Sequence, residues 1–294
     1  MVTVGEVRSV DMALVPPARA GLREVVRRRY LLRLLVRREL SARYQASFLG
    51  LLWSYVNPLS QFAIYYFVMG VLFNLHQSVE NFAIHVFAGL IVVTFFNETV
   101  NAGTRSIVRN RALVQKLAMP REMFPVASML VSAYHMLPQL AILLAVSWMS
   151  GWKPDLLGLV AMSLSLMIIV VLATAAALAF SAANVYFRDV SNVVQIVTNL
   201  TRFGVPMIYP YTVVADRFNG HTSLYLMNPI ADAVLLMQRA LWVGTTKNPR
   251  STMLEQLPSQ LFSRGVVALG MAVLILGLGQ LAFSRLQDGL PERL

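Results

Sequence analysis

Between Arg43 and Glu80 the chain carries no Asp, Glu, Lys or Arg, and Gly265–Ser284 is equally free of charge. Uncharged apolar stretches of this length read as membrane helices, because about 20 residues at 1.5 Å rise cross the hydrocarbon core. Composition agrees. Of 294 residues, 57% are apolar and 13% charged, against roughly 45–50% and 25% in a soluble domain. A chain of this kind lacks the polar surface to face water, and an all-α membrane protein is the expected fold class.

Six spans are predicted, at about residues 58–75, 82–103, 123–148, 156–186, 190–208 and 265–284. Trp152-Lys-Pro-Asp155 makes a tight turn after the third, and Pro206 and Pro210 end the fifth by removing backbone donors. Residues 1–48 are amphipathic, with Pro16-Pro17 as the upstream limit of the helix. Arg23, Arg27, Arg33, Arg37 and Arg43 are interleaved with Leu22, Leu31, Leu34 and Leu35 at three- and four-residue steps. One face is then apolar and the other cationic, as in helices that lie in the membrane interface. Residues 209–264 are too polar to span. They contain the apolar piece Ile230–Val243 behind Asn228-Pro229, which is too short to cross and suits a re-entrant or interfacial helix. Residues 285–294 form a tail. Gly270, Gly277 and Gly279 in the sixth span allow close helix approach.

The net charge of +11, from 25 basic and 14 acidic residues, does not point to nucleic acid. The basic residues cluster beside the apolar runs, as the positive-inside rule and anionic lipid surfaces select. Ten Lys/Arg lie in the N-terminal segment and five between Arg105 and Arg121, with Arg188, Arg285 and Arg293 on the same side. That side is expected to be cytoplasmic, with both termini inside. The chain has no cysteine, so disulfides and thiolate sites are excluded. Its first ~45 residues hold no isolated apolar stretch before a small-residue cleavage site, so no cleavable leader is expected. It has no phosphate-cradling G-x-x-x-x-G-K-[ST] loop and no metal-ligand spacing among its four histidines. Power for any transport would come from another subunit.

Several residues are candidates for function. Arg37, Arg38 and Arg43 either anchor the interface helix to lipid phosphates or form a gate for the diphosphate of a lipid carrier, which guanidinium matches in bidentate geometry. Tyr55, Phe62, Tyr66 and Phe73 share one face of the first span, and Tyr65 sits beside them. Tyrosine on lipid-facing helices is usually confined to the interfaces. A mid-depth stripe therefore suits a sugar pathway, where ring faces stack on aromatics; ordinary helix packing is the alternative. Glu98 and Arg202 are intramembrane or near it, and are functional candidates for that reason. They could pair with each other, or Arg202 could reach a headgroup. Arg105, Arg109, Arg111 and Lys116 belong to a short basic helix stopped by Pro120, which hugs the bilayer or docks in the groove of a cytoplasmic partner.

Arg37-Arg-Glu-Leu-Ser-Ala-Arg43, continuing through Trp53 and Tyr55 to Asn57-Pro58, resembles the stretch leading into the first span of polysaccharide ABC exporter permeases. These Wzm-like proteins are the membrane subunits of O-antigen, teichoic acid and actinobacterial galactan exporters. Lys116-Leu-Ala-Met-Pro-Arg-Glu-Met-Phe-Pro125 resembles their coupling region, and Tyr186-Phe-Arg-Asp-Val190 their fourth-to-fifth loop. Pro206-Met-Ile-Tyr-Pro210 and Leu226-Met-Asn-Pro-Ile230, with Arg239, resemble their outer re-entrant region. One departure is Met119, where an aromatic is expected.

The resemblance implies a half-transporter, two copies of which pair with two cytoplasmic ATP-binding subunits. ATP and Mg would be held by those subunits, so this chain would carry no cofactor and would not itself be an enzyme. The implied substrate is a polysaccharide on a polyprenyl-diphosphate lipid, exported across the bacterial inner membrane. It would come in beside the interface helix Leu22–Phe48 and pass the first-span aromatics, with Arg105–Leu117 as the coupling helix. The Arg- and Ala-rich composition tilts the expectation towards a galactan. The nearest alternative is a drug or small-lipid exporter of the same architecture. A secondary transporter or flippase would need paired intramembrane carboxylates and two related halves, and neither is visible. A glycosyl transferase would need clustered acids, whereas Asp155, Asp189, Asp216 and Asp232 stand singly.

Overall fold

The computed structural model describes residues 21–44, 50–116, 119–217 and 222–289, as helices joined by turns. Pro16-Pro17, residues 45–48 of the predicted interface helix, Leu117 and Arg293 lie outside the described residues. The chain opens with α1 (Gly21–Arg27) and α2 (Arg29–Tyr44). After a 3-10 turn, α3 (Trp53–Tyr65) runs directly into a π-helical stretch, Tyr66–Leu72. α4 (Leu75–Ser78) is a single turn flanked by Asn74 and Asn81, both at positive φ, which short polar side chains tolerate best. Then come α5 (Phe82–Arg109), α6 (Arg111–Lys116), α7 (Met123–Met149), α8 (Leu156–Tyr186) and α9 (Val190–Thr201). α10 (Tyr211–Arg217), α11 (Thr222–Tyr225), α12 (Pro229–Leu241) and α13 (Pro249–Gln256) precede α14 (Leu261–Leu286).

Among the described residues four helices, α5, α7, α8 and α14, are long and apolar enough to cross a membrane. They are the second, third, fourth and sixth predicted spans. The other two differ from expectation. The first begins earlier, at Trp53, takes Pro58 inside it, and changes to π geometry at Tyr66. The fifth, expected over 190–208, is helical only to Thr201. Gly204 and Pro206 follow, and both glycine and the residue before a proline are disfavoured in α geometry, so the helix stops short of the proline itself.

α8 is the hub, packed against α5, α7, α12 and α14. Small residues set how closely it is approached. A Cβ added to Gly103 of α5 would stand 2.5 Å from the Ala177 Cβ, and one on Gly279 of α14 would stand 2.8 Å from the Ala175 carbonyl oxygen. Lipid tails are as apolar as leucine, so helices associate there largely through such close packing. Gly270 and Gly277 have nothing within 4 Å of that position. Of the four glycines in the sixth span, Gly279 meets the backbone of α8 and Gly265 meets the Leu164 and Leu236 side chains of α8 and α12.

The larger apolar core joins α5, α8 and α12 through residues such as Leu90, Ile168 and Leu236. A smaller one, at the other end of the bundle, joins Val25 and Leu35 to Ile107, Phe124, Leu178 and Phe283. Leu31, Leu32 and Val36 of α2 pack on this second core while Arg33 and Arg37 stay exposed. The amphipathic helix is therefore seated on protein. Val26, Tyr30 and Leu34 form a further apolar line that stays exposed.

The predicted apolar piece at Ile230–Val243 becomes α12. Pro229 occupies its first turn and the Asn228 side chain accepts from the Ile230 N–H at 3.0 Å, the cap the sequence signals. Every residue from Ile230 to Leu241 is buried. Its C-terminal end is clasped from both sides. Arg239 donates to both Asp155 oxygens, at 3.2 and 2.6 Å. Trp152 Nε1 donates to the Ala240 carbonyl at 3.0 Å, and Trp242 Nε1 to the Glu80 carbonyl at 2.6 Å. Burial works to raise the Asp155 carboxyl, but the hydrogen bonds and charge of Arg239 outweigh it and hold the group below its usual range.

Two outcomes follow for the purified protein in detergent. Gly103→Ala should lower stability by roughly 1–3 kcal/mol through forced overlap. Gly277→Ala, with open space around it, should be neutral or gain up to about 1 kcal/mol of helix propensity; thermal unfolding separates the two. Asp155→Asn should lower stability by about 1 kcal/mol, a modest figure because the carboxylate is half exposed. Because the folded value is depressed, the wild-type contribution is complete at neutral pH and is lost as the pH falls through that value. The gap between wild type and Asp155→Asn should therefore close in acid.

Candidate functional site

A cavity of about 1260 Å³ opens among α2, α3, α5, α7 and α9, larger than most small-molecule pockets. Most of the residues that line it are polar, in contrast to the two apolar clusters that hold the bundle together. α5 turns one face to it, Thr94, Asn97, Glu98, Asn101, Arg105 and Arg109, at the three- and four-residue spacing of a single helix surface. α7 contributes Ser128, His135 and Gln139, and α3 contributes Trp53, Asn57 and Gln61. Asn184, Arg188, Ser191, Asn199 and Arg202 come from the end of α8 and from around α9. Arg38, Glu39 and Arg43 of α2 close the remaining side.

Charge is unbalanced inside this space, with six arginines facing two carboxylates. Arg43 Nη1 lies 2.5 Å from Glu98 Oε1, and His135 Nδ1 lies 2.9 Å from the same oxygen. Arg109 pairs with Glu39. Asn110 Nδ2 donates to the other Glu39 oxygen at 2.9 Å, and Asn110 Oδ1 accepts from Arg38 Nη1 at 2.9 Å. Arg105 Nη2 donates to Gln195 Oε1 at 3.1 Å. Arg38, Arg105, Arg188 and Arg202 have no carboxylate partner among the described residues, and the buried Arg202 Nε makes no hydrogen bond. A cleft lined by one sign of charge focuses field and concentrates anions. Guanidinium groups suit phosphate or carboxylate, while the amides and hydroxyls suit a hydroxyl-rich ligand.

The structure sorts the candidate residues into groups. Arg38, Arg43, Glu98, Arg105, Arg109 and Arg202 all line the cavity. Glu98 bonds Arg43 and His135, not Arg202. Arg37 is exposed and outside it, as are Arg111 and Lys116 on α6. The predicted helix over 105–117 is split, because Arg105 and Arg109 complete α5 and only Arg111–Lys116 forms a separate helix. The aromatic stripe packs on α5. Phe62 meets Phe87 edge-on at 5.2 Å, and Tyr66 stacks on Phe62 at 6.0 Å and tilts against Phe82 at 6.5 Å. Tyr55 and Tyr65 are partly buried, Phe73 is exposed, and none of the five faces the cavity within one chain. Sequence reasoning did not single out Asn97, His135 or Arg188. The signal for the first was legible, since Thr94, Asn97, Asn101 and Arg105 recur at helical period inside a span. A second, apolar hollow of about 460 Å³ lies against α9 and is walled by Phe96, Phe180, Val190, Val193 and Val197.

Residues 30–242 match the ABC-2 type transporter family. The chain belongs to this family of membrane transport proteins. The matched stretch contains every residue of the cavity wall. The chain is similar to the O-antigen export system permease protein RfbA of Myxococcus xanthus, with 28% identity over 217 residues, 74% of this chain and 82% of that protein. Two proteins of the same name from Klebsiella pneumoniae are 25% identical over 218 residues and 24% over 205, covering 82% and 77% of their lengths. As an ABC-2 type transporter with several membrane-length apolar helices, the protein is a multi-pass membrane protein.

The Arg43–Glu98 pair holds α2 against α5, which a double-mutant cycle can measure. Glu98→Gln and Arg43→Gln should each lower thermal stability, and the double variant should fall short of their sum by about 1 kcal/mol. Additive losses would mean that the two side chains do not interact in solution.

Proposed function

We propose that the protein is the permease subunit of an ATP-driven ABC exporter that moves a polyprenyl-diphosphate-linked polysaccharide, of O-antigen, teichoic acid or galactan type, outward across the bacterial inner membrane. The observation that carries this reading is the cavity, in which an excess of arginines adjoins a wall of uncharged amides and hydroxyls. That is the chemistry of an anionic headgroup followed by sugars. The relatives named as O-antigen export permeases support it.

In this reading two copies of the chain pair with two cytoplasmic ATP-binding subunits, which hold ATP and Mg. Both termini are cytoplasmic. The chain crosses six times, counting the α3–π helix and a broken crossing through α9. At 12 residues, α9 is about 18 Å long, and its flanking turns can leave helical geometry because they line the cavity instead of lipid. Exposed Arg111 and Lys116 on α6 dock in the ATP-binding subunit, and Val26, Tyr30 and Leu34 sink among headgroups. Exposed Tyr66 and Phe73 face the second copy and line the channel between the two. The apolar hollow beside α9 favours a second reading, export of a small lipid or drug.

The test is reconstitution with the ATP-binding partner in proteoliposomes carrying lipid-linked glycan. ATP-dependent loss of the glycan from the partner-facing leaflet is expected, and Arg111→Ala with Lys116→Ala should abolish it without altering purification of the chain. ATP-driven movement of short lipids but not of glycan would favour the second reading. Movement without any ATP-binding subunit would overturn both.

A further inference from the structure

The wall of one cavity holds four side chains with polar atoms that have no hydrogen-bond partner among the described residues. Asn97 is 6% exposed, and neither its Nδ2 nor its Oδ1 has a partner. The same is true of Gln61 Oε1, Thr94 Oγ1 and Ser128 Oγ. They come from three helices, α3, α5 and α7, so only the folded bundle assembles them, and all four line the cavity. A buried polar group left unmade costs roughly 1–3 kcal/mol, and native proteins leave few such groups. Several of them on one cavity wall point to a ligand that completes them.

Their chemistry narrows the ligand. A carboxamide offers a donor and an acceptor, and each hydroxyl does both. None of the four is charged. A phosphate would be drawn to the arginines, and a cation would find no free carboxylate here, since Glu98 is bonded to Arg43 and His135. What donates and accepts in alternation from a compact neutral frame is a set of vicinal hydroxyls. Position is consistent with this. Asn97 and Arg105 share a face of α5, and eight residues at 1.5 Å rise place them about 12 Å apart along the axis, a gap that a long arginine side chain and a diphosphate together fill.

We infer that Gln61, Thr94, Asn97 and Ser128 form a subsite for one neutral sugar ring, the ring that directly follows the lipid diphosphate. The inference rests on the reading of the cavity as the path of a lipid-diphosphate glycan. It adds that the protein recognises the first sugar and not the phosphates alone.

The experiment measures equilibrium binding of two radiolabelled probes to the full chain with its ATP-binding partner in nanodiscs. One probe is a bare polyprenyl diphosphate and the other is the same lipid bearing a single N-acetylglucosamine. Wild type should bind the sugar-bearing lipid about tenfold more tightly, the equivalent of one or two hydrogen bonds. Asn97→Leu and the volume-conserving Thr94→Val should each shrink that ratio towards one. Binding of the bare lipid reports whether each variant still forms its cavity, and Thr94→Val decides the matter if Asn97→Leu does not fold. Equal binding of both probes by wild type, or a full preference kept by a variant that binds the bare lipid, would overturn the subsite and leave the exporter reading standing. Binding of neither probe would overturn the exporter reading and the subsite with it.

Discussion

Amides, a carboxylate and arginines on a membrane-length helix must be turned away from hydrocarbon, where each lacks a hydrogen-bonding partner. α5 carries such a series, from Thr94 through Asn97, Glu98 and Asn101 to Arg105, on one face. The arrangement of the other helices answers that constraint. α8 covers the apolar side of α5 closely enough for Gly103 to rest on Ala177. α7 brings His135 to Glu98, and α3 and α9 complete a polar chamber instead of a second apolar core.

The same constraint explains why the interface helix is part of the bundle. Arg43 reaches Glu98 and Glu39 reaches Arg109, so the polar edge of α2 closes the chamber while Leu31, Leu32 and Leu35 pack on the smaller core. An arginine-rich amphipathic helix can satisfy its charges with lipid phosphates alone. Here at least part of that charge is satisfied by α5. Any movement of α2 relative to α5 must break two ion pairs at the chamber rim, which makes this helix a natural boundary between the surface of the protein and its polar interior.

Much of the architecture was legible in the chain because local chemistry decides it. Apolar runs of membrane length mark α5, α7, α8 and α14, and Asn228-Pro229 marks the start of α12 at the residue where it begins. Elements whose form depends on backbone detail were less legible. Nothing in the composition of Tyr66–Leu72 announces a π helix. The end of α9 at Thr201 reflects Gly204 and the restriction before Pro206, which act upstream of the proline that marks the break.

The site divides along the same line. Periodicity was enough to place Phe62 and Tyr66 on one face, and they do stack. It could not say which of these rings meet a neighbouring helix, and Phe87 and Phe82 are the neighbours of Phe62 and Tyr66. Glu98 was conspicuous as a charge inside a span, yet its partners are 55 and 37 residues away along the chain. The sequence by itself determined which segments are long and apolar enough to cross a membrane, where α12 begins and which segments carry basic charge, because hydrophobicity, capping and charge act over a few residues. Which arginine met which carboxylate, and which amides were brought together unpartnered, was decided only by the tertiary structure, because those choices depend on how closely separate helices approach and at what rotation.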